Sequence, residues 1–127
     1  MTGEAVWLLV FLLIGHFLGD FTALSTASML RAKAVGTPLG PIAAHAAVHS
    51  GLVAVAVALV AAPGLGLIGL AAALELASHF ALDLGRGRLM RRFPRWGDPA
   101  HGSFWSVLGL DQLAHGLVLV GLVLLVI

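Results

Sequence analysis

The sequence contains four pairs of metal-binding side chains, each pair spaced four residues apart within an apolar stretch. A helix completes a turn about every 3.6 residues, so residues i and i+4 lie on the same face, one above the other. Each pair therefore offers two ligands, histidine nitrogens or aspartate oxygens, to one ion. Ionisable side chains in apolar spans are costly, and they mark a functional site. The pairs are His16 with Asp20, His45 with His49, His79 with Asp83, and Asp111 with His115.

These ligand types predict a site for divalent metal. Nitrogen and carboxylate ligands suit zinc, manganese or iron, and the absence of cysteine argues against a copper(I) site. Eight ligands exceed the four of a closed tetrahedral site, so we expect the eight residues to hold two ions. Two ions about 3.5–4 Å apart can activate water and clamp a phosphoryl group. The alternative is that the pairs only hydrogen-bond neighbouring helices.

Two further polar residues, Glu75 and Gln112, lie beside the pairs. Glu75 precedes His79 by one helical turn on the same face, where it can act as a general base, a ligand or a hydrogen-bonded acid. Asp111 is a second candidate for a catalytic role, in addition to binding metal. Gln112 can bind a substrate or a neighbouring helix. Gly15 and Gly19 frame the first pair in a GxxxG pattern, which lets helix backbones approach closely.

The composition is that of a membrane protein. Of 127 residues, 60% are hydrophobic and 10% are charged, whereas a soluble domain has about 25% charged residues. A helix needs about 20 apolar residues to cross a bilayer. We predict an all-α polytopic membrane protein, one domain over residues 1–127, with four transmembrane helices in an antiparallel bundle. The predicted spans are residues 5–19, 42–62, 67–84 and 104–127.

The basic residues lie on one side of this predicted bundle. Arg31 and Lys33 follow the first span and five arginines follow the third, whereas the second connector and both termini contain no basic residue. The positive-inside rule therefore places the first and third connectors in the cytoplasm and both termini outside. All four pairs then lie in the cytoplasmic half, within about two helical turns of the surface, where they can converge in one bundle.

The third connector is also a candidate site for an anionic group. Arg86, Arg91 and Arg92, with nearby aromatic residues, can hold a lipid headgroup or a phosphate. The alternative is that these arginines only set the topology. We expect membrane lipid as a partner and a lipid or amphiphile as substrate, and an oligomer is compatible with the sequence. Nucleic acid is not expected as a partner, because an arginine loop against a bilayer offers no docking fold.

The order of the motifs resembles that of a known family of small bacterial membrane proteins, described as a domain of unknown function. The resemblance extends from Leu13 to Leu117 and implies the inner membrane of a bacterium. In the family pattern, a glutamine occupies the position of Ser25 and a lysine that of Arg86. The motifs also resemble those of membrane-bound metal-dependent hydrolases. They are HFLGDF at 16–21, HxxxH at 45–49, HFxxD at 79–83 and DQxxH at 111–115.

We therefore expect a metal-dependent hydrolase at the cytoplasmic membrane face, acting on a phosphate-containing lipid or amphiphile. The metal would activate a water molecule, and Asp111 or Glu75 would accept the proton. Two alternatives use the same ligands: a redox protein with a di-iron or haem centre, and a metal carrier or sensor without catalysis. Bound iron with visible absorbance would favour the redox protein, and colourless zinc or manganese would favour the hydrolase.

Overall fold

A computed structural model describes residues 2–127 and shows an all-helical fold, with no strand among those residues. A short helix, α2 (Ala27–Val35), lies between the first two long helices, and a 3-10 turn (Pro94–Gly97) lies before the last. Four helices are long and apolar enough to cross a membrane. They are α1 (Gly3–Phe21), α3 (Leu39–Val60), α4 (Leu65–Arg92) and α5 (Gly102–Val126).

The ends of α1 and α2 follow from capping residues in the sequence. The hydroxyl of Thr2 accepts a hydrogen bond from the backbone of Ala5 at 3.2 Å, and the hydroxyl of Thr26 accepts one from Met29 at 3.4 Å. Such hydroxyls stabilise the first turn of a helix. Helix α2 ends at Gly36, whose φ of 74° lies in the left-handed region that favours glycine.

Three of the predicted spans agree with α1, α3 and α5 to within three residues at each end. The third span was predicted to end near Leu84, but α4 continues to Arg92. Residues 85–92 contain four arginines, one leucine and one methionine, which favour helix, and the first proline after them is Pro94. Four of the arginines therefore extend the helix instead of lying in a loop. The sequence analysis also did not predict α2.

The four long helices pack as an antiparallel bundle, which confirms the predicted fold class. Helix α1 contacts α3 and α5, and α4 contacts the same two helices. One half of the bundle interior is apolar. Along the chain, its residues come before the metal-binding pair of the same helix in α1 and α4, and after that pair in α3 and α5. That reversal along successive helices is the pattern of an up-down bundle. This apolar half consists of Ala5, Leu8, Leu12, Val53, Ala56, Val57, Ala71, Leu119, Leu122 and Val123.

Large apolar side chains also cover the outer surface of the bundle. Leu59, Leu65 and Leu124, for example, are each more than 70% exposed. Water-soluble proteins rarely expose apolar patches of this extent. The outer surface therefore suits contact with lipid, in agreement with the four span-length helices.

Candidate metal centre

The bundle brings the predicted pairs together in its second, polar half. His45, His49, His79, Asp83 and His115 are each at most 3% exposed. The centroids of neighbouring imidazole rings lie between 3.7 and 5.7 Å apart, with His16 among them. The polar cluster, as we name it, consists of His16, Asp20, Lys33, His45, His49, Glu75, His79, Asp83 and His115.

Two sets of side chains in the polar cluster are close enough to hold a metal ion, with all ligand atoms of a set within 4.8 Å of one another. Both sets include His79. Its Nδ1 lies 3.1 Å from Oε1 of Glu75, so Nε2 remains for a metal, and one nitrogen lone pair binds one ion. If two ions are held, only one of them has His79 as a ligand. The sets are Asp20, His45, His49 and His79, and His79, Asp83 and His115.

The buried atoms of these sets fit a cation. Buried polar atoms nearly always have a hydrogen-bond partner, but five ligand atoms of the two sets have none within residues 2–127. Imidazole nitrogen and carboxylate oxygen are donors that zinc, manganese and iron accept. The buried His and Asp groups are therefore close enough, and of the right type, to bind a metal ion. The five atoms are Nε2 of His49, His79 and His115 and both carboxylate oxygens of Asp83.

Three histidines have a polar neighbour at Nδ1, which leaves Nε2 for the interior of the polar cluster. A partner of this kind fixes the ring and is typical of metal-binding histidines. The arrangement favours an orienting role for Glu75, whose assignment as a general base stays a prediction. The partners are Glu75 for His79 at 3.1 Å, the Asp111 backbone oxygen for His115 at 2.8 Å, and Ser25 for His45 at 3.3 Å.

Lys33 reaches the polar cluster from α2, a placement that the sequence analysis did not predict. Its Nζ lies 2.9 Å from Oδ1 of Asp20, 2.8 Å from Nε2 of His45 and 3.3 Å from Oδ2 of Asp83. The lysine had been assigned to the charge pattern of the first connector alone. The sequence offered one signal, which is that alanines flank Lys33 at positions 32 and 34. A lysine among alanines can point either inward or outward, so this signal alone did not decide its placement.

Glycine at position 87 allows α2 to hold Lys33 in this place. A Cβ at Gly87 would collide with the carbonyl oxygen of Lys33 and with the backbone of Gly36. Helix α2 therefore packs directly against the backbone of α4. Asp83 lies on the same helix as Gly87. The close approach therefore fixes the backbone of Lys33 relative to the Asp83 carboxylate.

Gly19 makes room for one of the histidines. A Cβ at Gly19 would collide with the imidazole ring of His49, whereas a Cβ at Gly15 would lie at an ordinary distance of 3.5 Å from Cβ of Leu52. The GxxxG pattern had predicted close backbone packing at both glycines. In the structure, Gly19 accommodates a side chain of the polar cluster, and only Gly15 lies at a helix contact of the ordinary kind.

His16 and Asp111 lie at the edge of the polar cluster, outside both sets. Nε2 of His16 is 3.3 Å from Oε1 of Gln112 and 3.4 Å from Oδ2 of Asp20. Oδ2 of Asp111 is 3.5 Å from the guanidinium of Arg86 and 3.3 Å from Nε2 of Gln112. Gln112 thus connects α1 and α5. The assignments of His16 and Asp111 as metal ligands stay predictions.

A cavity of about 360 Å³ reaches the polar cluster from the side of α2 and α5. Asp20, Lys33, Arg86 and Gln112 contribute its polar lining, so two basic side chains face the same space. Of the three arginines predicted to hold a headgroup, Arg86 lies here. Arg91 and Arg92 are exposed and line none of the cavities found, and their headgroup role stays a prediction.

The chain matches a family model over residues 8–127, and the family is described as protein of unknown function (DUF3307). The chain therefore belongs to this family. The match and the four span-length helices confirm the resemblance to small membrane proteins of unknown function. Searches of curated proteins and of solved structures gave no match to the chain. The likeness of the motifs to those of metal-dependent hydrolases stays a prediction.

Proposed function

We propose that this protein is a metal-dependent membrane hydrolase that acts on a phosphate-containing lipid or amphiphile. The observation that carries the proposal is a set of five buried ligand atoms without a hydrogen-bond partner within residues 2–127, in a cluster reached by a cavity with two basic side chains. One of the five, Oδ2 of Asp83, lies at ion-pair distance from Lys33. The ligand atoms supply a place for metal, and Lys33 and Arg86 supply a place for phosphate oxygens. The two features lie side by side, as phosphoryl chemistry requires.

The charges around the cavity support a phosphate substrate. The polar cluster and its edge contain four carboxyl groups, of Asp20, Glu75, Asp83 and Asp111. Lys33 pairs with Asp20 and Asp83, Arg86 pairs with Asp111, and Glu75 contacts His79. The formal charge is thus −4 plus +2, or −2, with the histidines neutral. One divalent ion would balance this charge, and two would leave an excess of +2. A phosphate monoester carries about −1.5 to −2, so the two-ion form would attract it.

The two sets of ligands around His79 would hold the metal, and the chemistry that divalent ions supply in such a site is activation of water and polarisation of a phosphoryl oxygen. Lys33 and Arg86 would bind and orient the phosphate through charge-assisted hydrogen bonds. Glu75 lines a cavity of about 10 Å³ together with His16 and His49, a volume close to that of one water molecule. We therefore retain Glu75 beside Asp111 as a candidate proton acceptor.

We further propose that the polar half faces the cytoplasm across the inner membrane of a bacterium. All seven basic residues belong to α2 or to the segment from Arg86 to Arg95, which lie at the polar end of the bundle. The positive-inside rule assigns this end to the cytoplasm. Labelling of single cysteines placed at residue 3 and at residue 98 tests the assignment, and access from the cytoplasm at residue 3 would overturn it.

The proposed function is tested by elemental analysis of the purified protein, followed by assays of lipid phosphates and soluble phosphoesters. We expect bound zinc, manganese or iron, and turnover that Asp111→Asn abolishes without unfolding the bundle, because the amide keeps the shape and loses the charge. Asp98→Asn is the matched control, since Asp98 is exposed and pairs with His101, outside both ligand sets. Equal turnover by the wild type and Asp111→Asn would contradict the hydrolase.

Three other results would change the assignment. Bound iron with a visible spectrum that changes on reduction would favour the di-iron or haem redox protein. Metal uptake into vesicles without turnover of any phosphoester would favour a carrier. Protein without metal, whose melting temperature chelators leave unchanged, would show that the polar cluster serves only helix packing.

A further inference from the structure

A further cavity, of about 590 Å³, lies between α4 and α5. We name it the α4–α5 cleft. Its volume is within the range of about 300–1,000 Å³ that is typical of small-molecule sites. Leu82, Leu89, Val107, Leu110 and Ala114 give it a mainly apolar wall, and Trp96 lies at the end near the 3-10 turn.

The α4–α5 cleft follows the helices instead of crossing them. Its lining on α5 extends from Ser103 to Ala114, which is about 16 Å along the helix axis. Its lining on α4 extends over residues 81–89. The shape is therefore that of an elongated apolar slot, which begins near the basic end of the bundle and continues toward the apolar half.

Arg86 connects this cleft with the polar cluster, because its side chain lines both the α4–α5 cleft and the cavity that contains Lys33. The guanidinium has one anionic neighbour, Asp111 at 3.5 Å, and its buried Nε has no hydrogen-bond partner within residues 2–127. A guanidinium offers five N–H donors in a fork that suits phosphate. Arg86 therefore has donors available for an anionic group at the junction of the two cavities.

We propose that the α4–α5 cleft holds the hydrocarbon chain of a single-chain anionic amphiphile whose phosphate headgroup is bound by Arg86 beside the polar cluster. This inference rests on the proposed function, because it names the substrate class for that same site. Apart from Arg86 and its neighbour Asp111, the lining of the cleft carries no charged side chain, so it suits an uncharged chain, and the charge of Arg86 selects a headgroup of opposite sign. The binding geometry places the phosphate next to Lys33 and the chain in the slot.

The test uses a dodecyl phosphate that carries a photoreactive diazirine on its chain, with the corresponding dodecyl alcohol as the uncharged probe. Full-length protein is labelled in vesicles, and labelled peptides are mapped by mass spectrometry. The extent of photolabelling reports binding of the probe and does not depend on its hydrolysis. Gly85→Trp fills the cleft, because Gly85 lines it and has open space at its Cβ. Gly69→Trp is the matched control on α4, with equally open space but no part in the cleft.

We expect labelling of residues 81–89 and 103–114 by the phosphate probe, reduced about tenfold in Gly85→Trp and unchanged in Gly69→Trp. Arg86→Gln should lower labelling by the phosphate probe to the level of the alcohol probe. Equal labelling of the two tryptophan variants, or of the wild type by the two probes, would overturn the inference. Cleft labelling with no hydrolysis of any phosphoester would refute the proposed function and leave the binding site standing.

Discussion

The apolar half and the polar half of the bundle interior are built from the same four helices but are held by different interactions. In the apolar half, Leu8, Leu12 and Leu119 are almost fully buried among aliphatic neighbours, and packing contacts hold them together. In the polar half, histidines and aspartates of the same helices are equally buried, yet several of their atoms lack partners within residues 2–127. The first half can hold the bundle together, and the second is available for a ligand.

This difference predicts that variants in the two halves have separable effects. A change in the apolar half should lower the stability of the bundle and leave the metal content of the folded protein unchanged. A change in the polar half should lower the metal content by an amount that depends on how many contacts the residue makes with the two ligand sets.

Replacement of His79 should have the largest effect on metal binding. His79 is common to both ligand sets and is held by Glu75, so His79→Ala removes a candidate ligand whichever of the two sets it completes. We expect a loss of metal affinity of about a hundredfold, measured by elemental analysis and by titration with zinc. Metal also stabilises the fold that binds it, so the rise in melting temperature on adding metal should disappear.

Leu12→Ala is the control for this prediction in the apolar half. It removes packing contacts from a side chain that is 2% exposed, at a cost of about 2 kcal/mol in the free energy of unfolding. The folded fraction should bind as much metal as the wild type. Loss of metal in Leu12→Ala, or normal metal in His79→Ala, would break the proposed separation of the two halves.

Gly19→Ala should have an intermediate effect, because the new methyl group occupies the place of the His49 imidazole. We expect a decrease of about tenfold in metal affinity, as found when a group that supports a ligand is altered. Gly15→Ala introduces the same methyl group one turn earlier in α1, at an ordinary contact distance from Leu52, and should bind metal normally. If both variants behave alike, Gly19 serves helix packing and not the position of His49.

Ser25→Ala should have the smallest effect of the three. The serine hydroxyl is buried and lies 3.3 Å from Nδ1 of His45, and its loss removes one hydrogen bond, worth about 1 kcal/mol. We expect a decrease in zinc affinity of about fivefold with the fold intact. Ser25→Thr retains the hydroxyl and should remain close to the wild type. An effect as large as that of His79→Ala would show that Ser25 itself is a ligand.

Much of the fold could be predicted from local patterns in the sequence. The hydropathy of the spans predicted four long helices, and the structure contains them as an antiparallel bundle. The third span was too short in the prediction, because the arginines after Gly85 suggested a loop. Charge disfavours membrane burial, but arginine is a good helix former, so the helix continues beyond the apolar segment until Arg92.

The candidate site was predicted in its parts but not in its assembly. The i, i+4 spacing placed each pair on one helical face, and the alternating direction of the spans placed all pairs at one end. The spacing and the direction of the spans leave undetermined how each helix is rotated about its own axis. That rotation decides that His79 lies in both ligand sets, whereas Asp111 faces Arg86 at the edge.

The sequence by itself therefore determined the number of spans, the faces that carry the pairs and the end of the bundle where they meet, because hydropathy and helical periodicity are local properties of the chain. Only the packed helices show which members of the pairs form ligand sets, that Lys33 reaches the polar cluster from α2, and that Gly19 and Gly87 provide the space for close approach. These features depend on contacts between residues far apart in the chain, and the distances that create them arise only when the helices have packed.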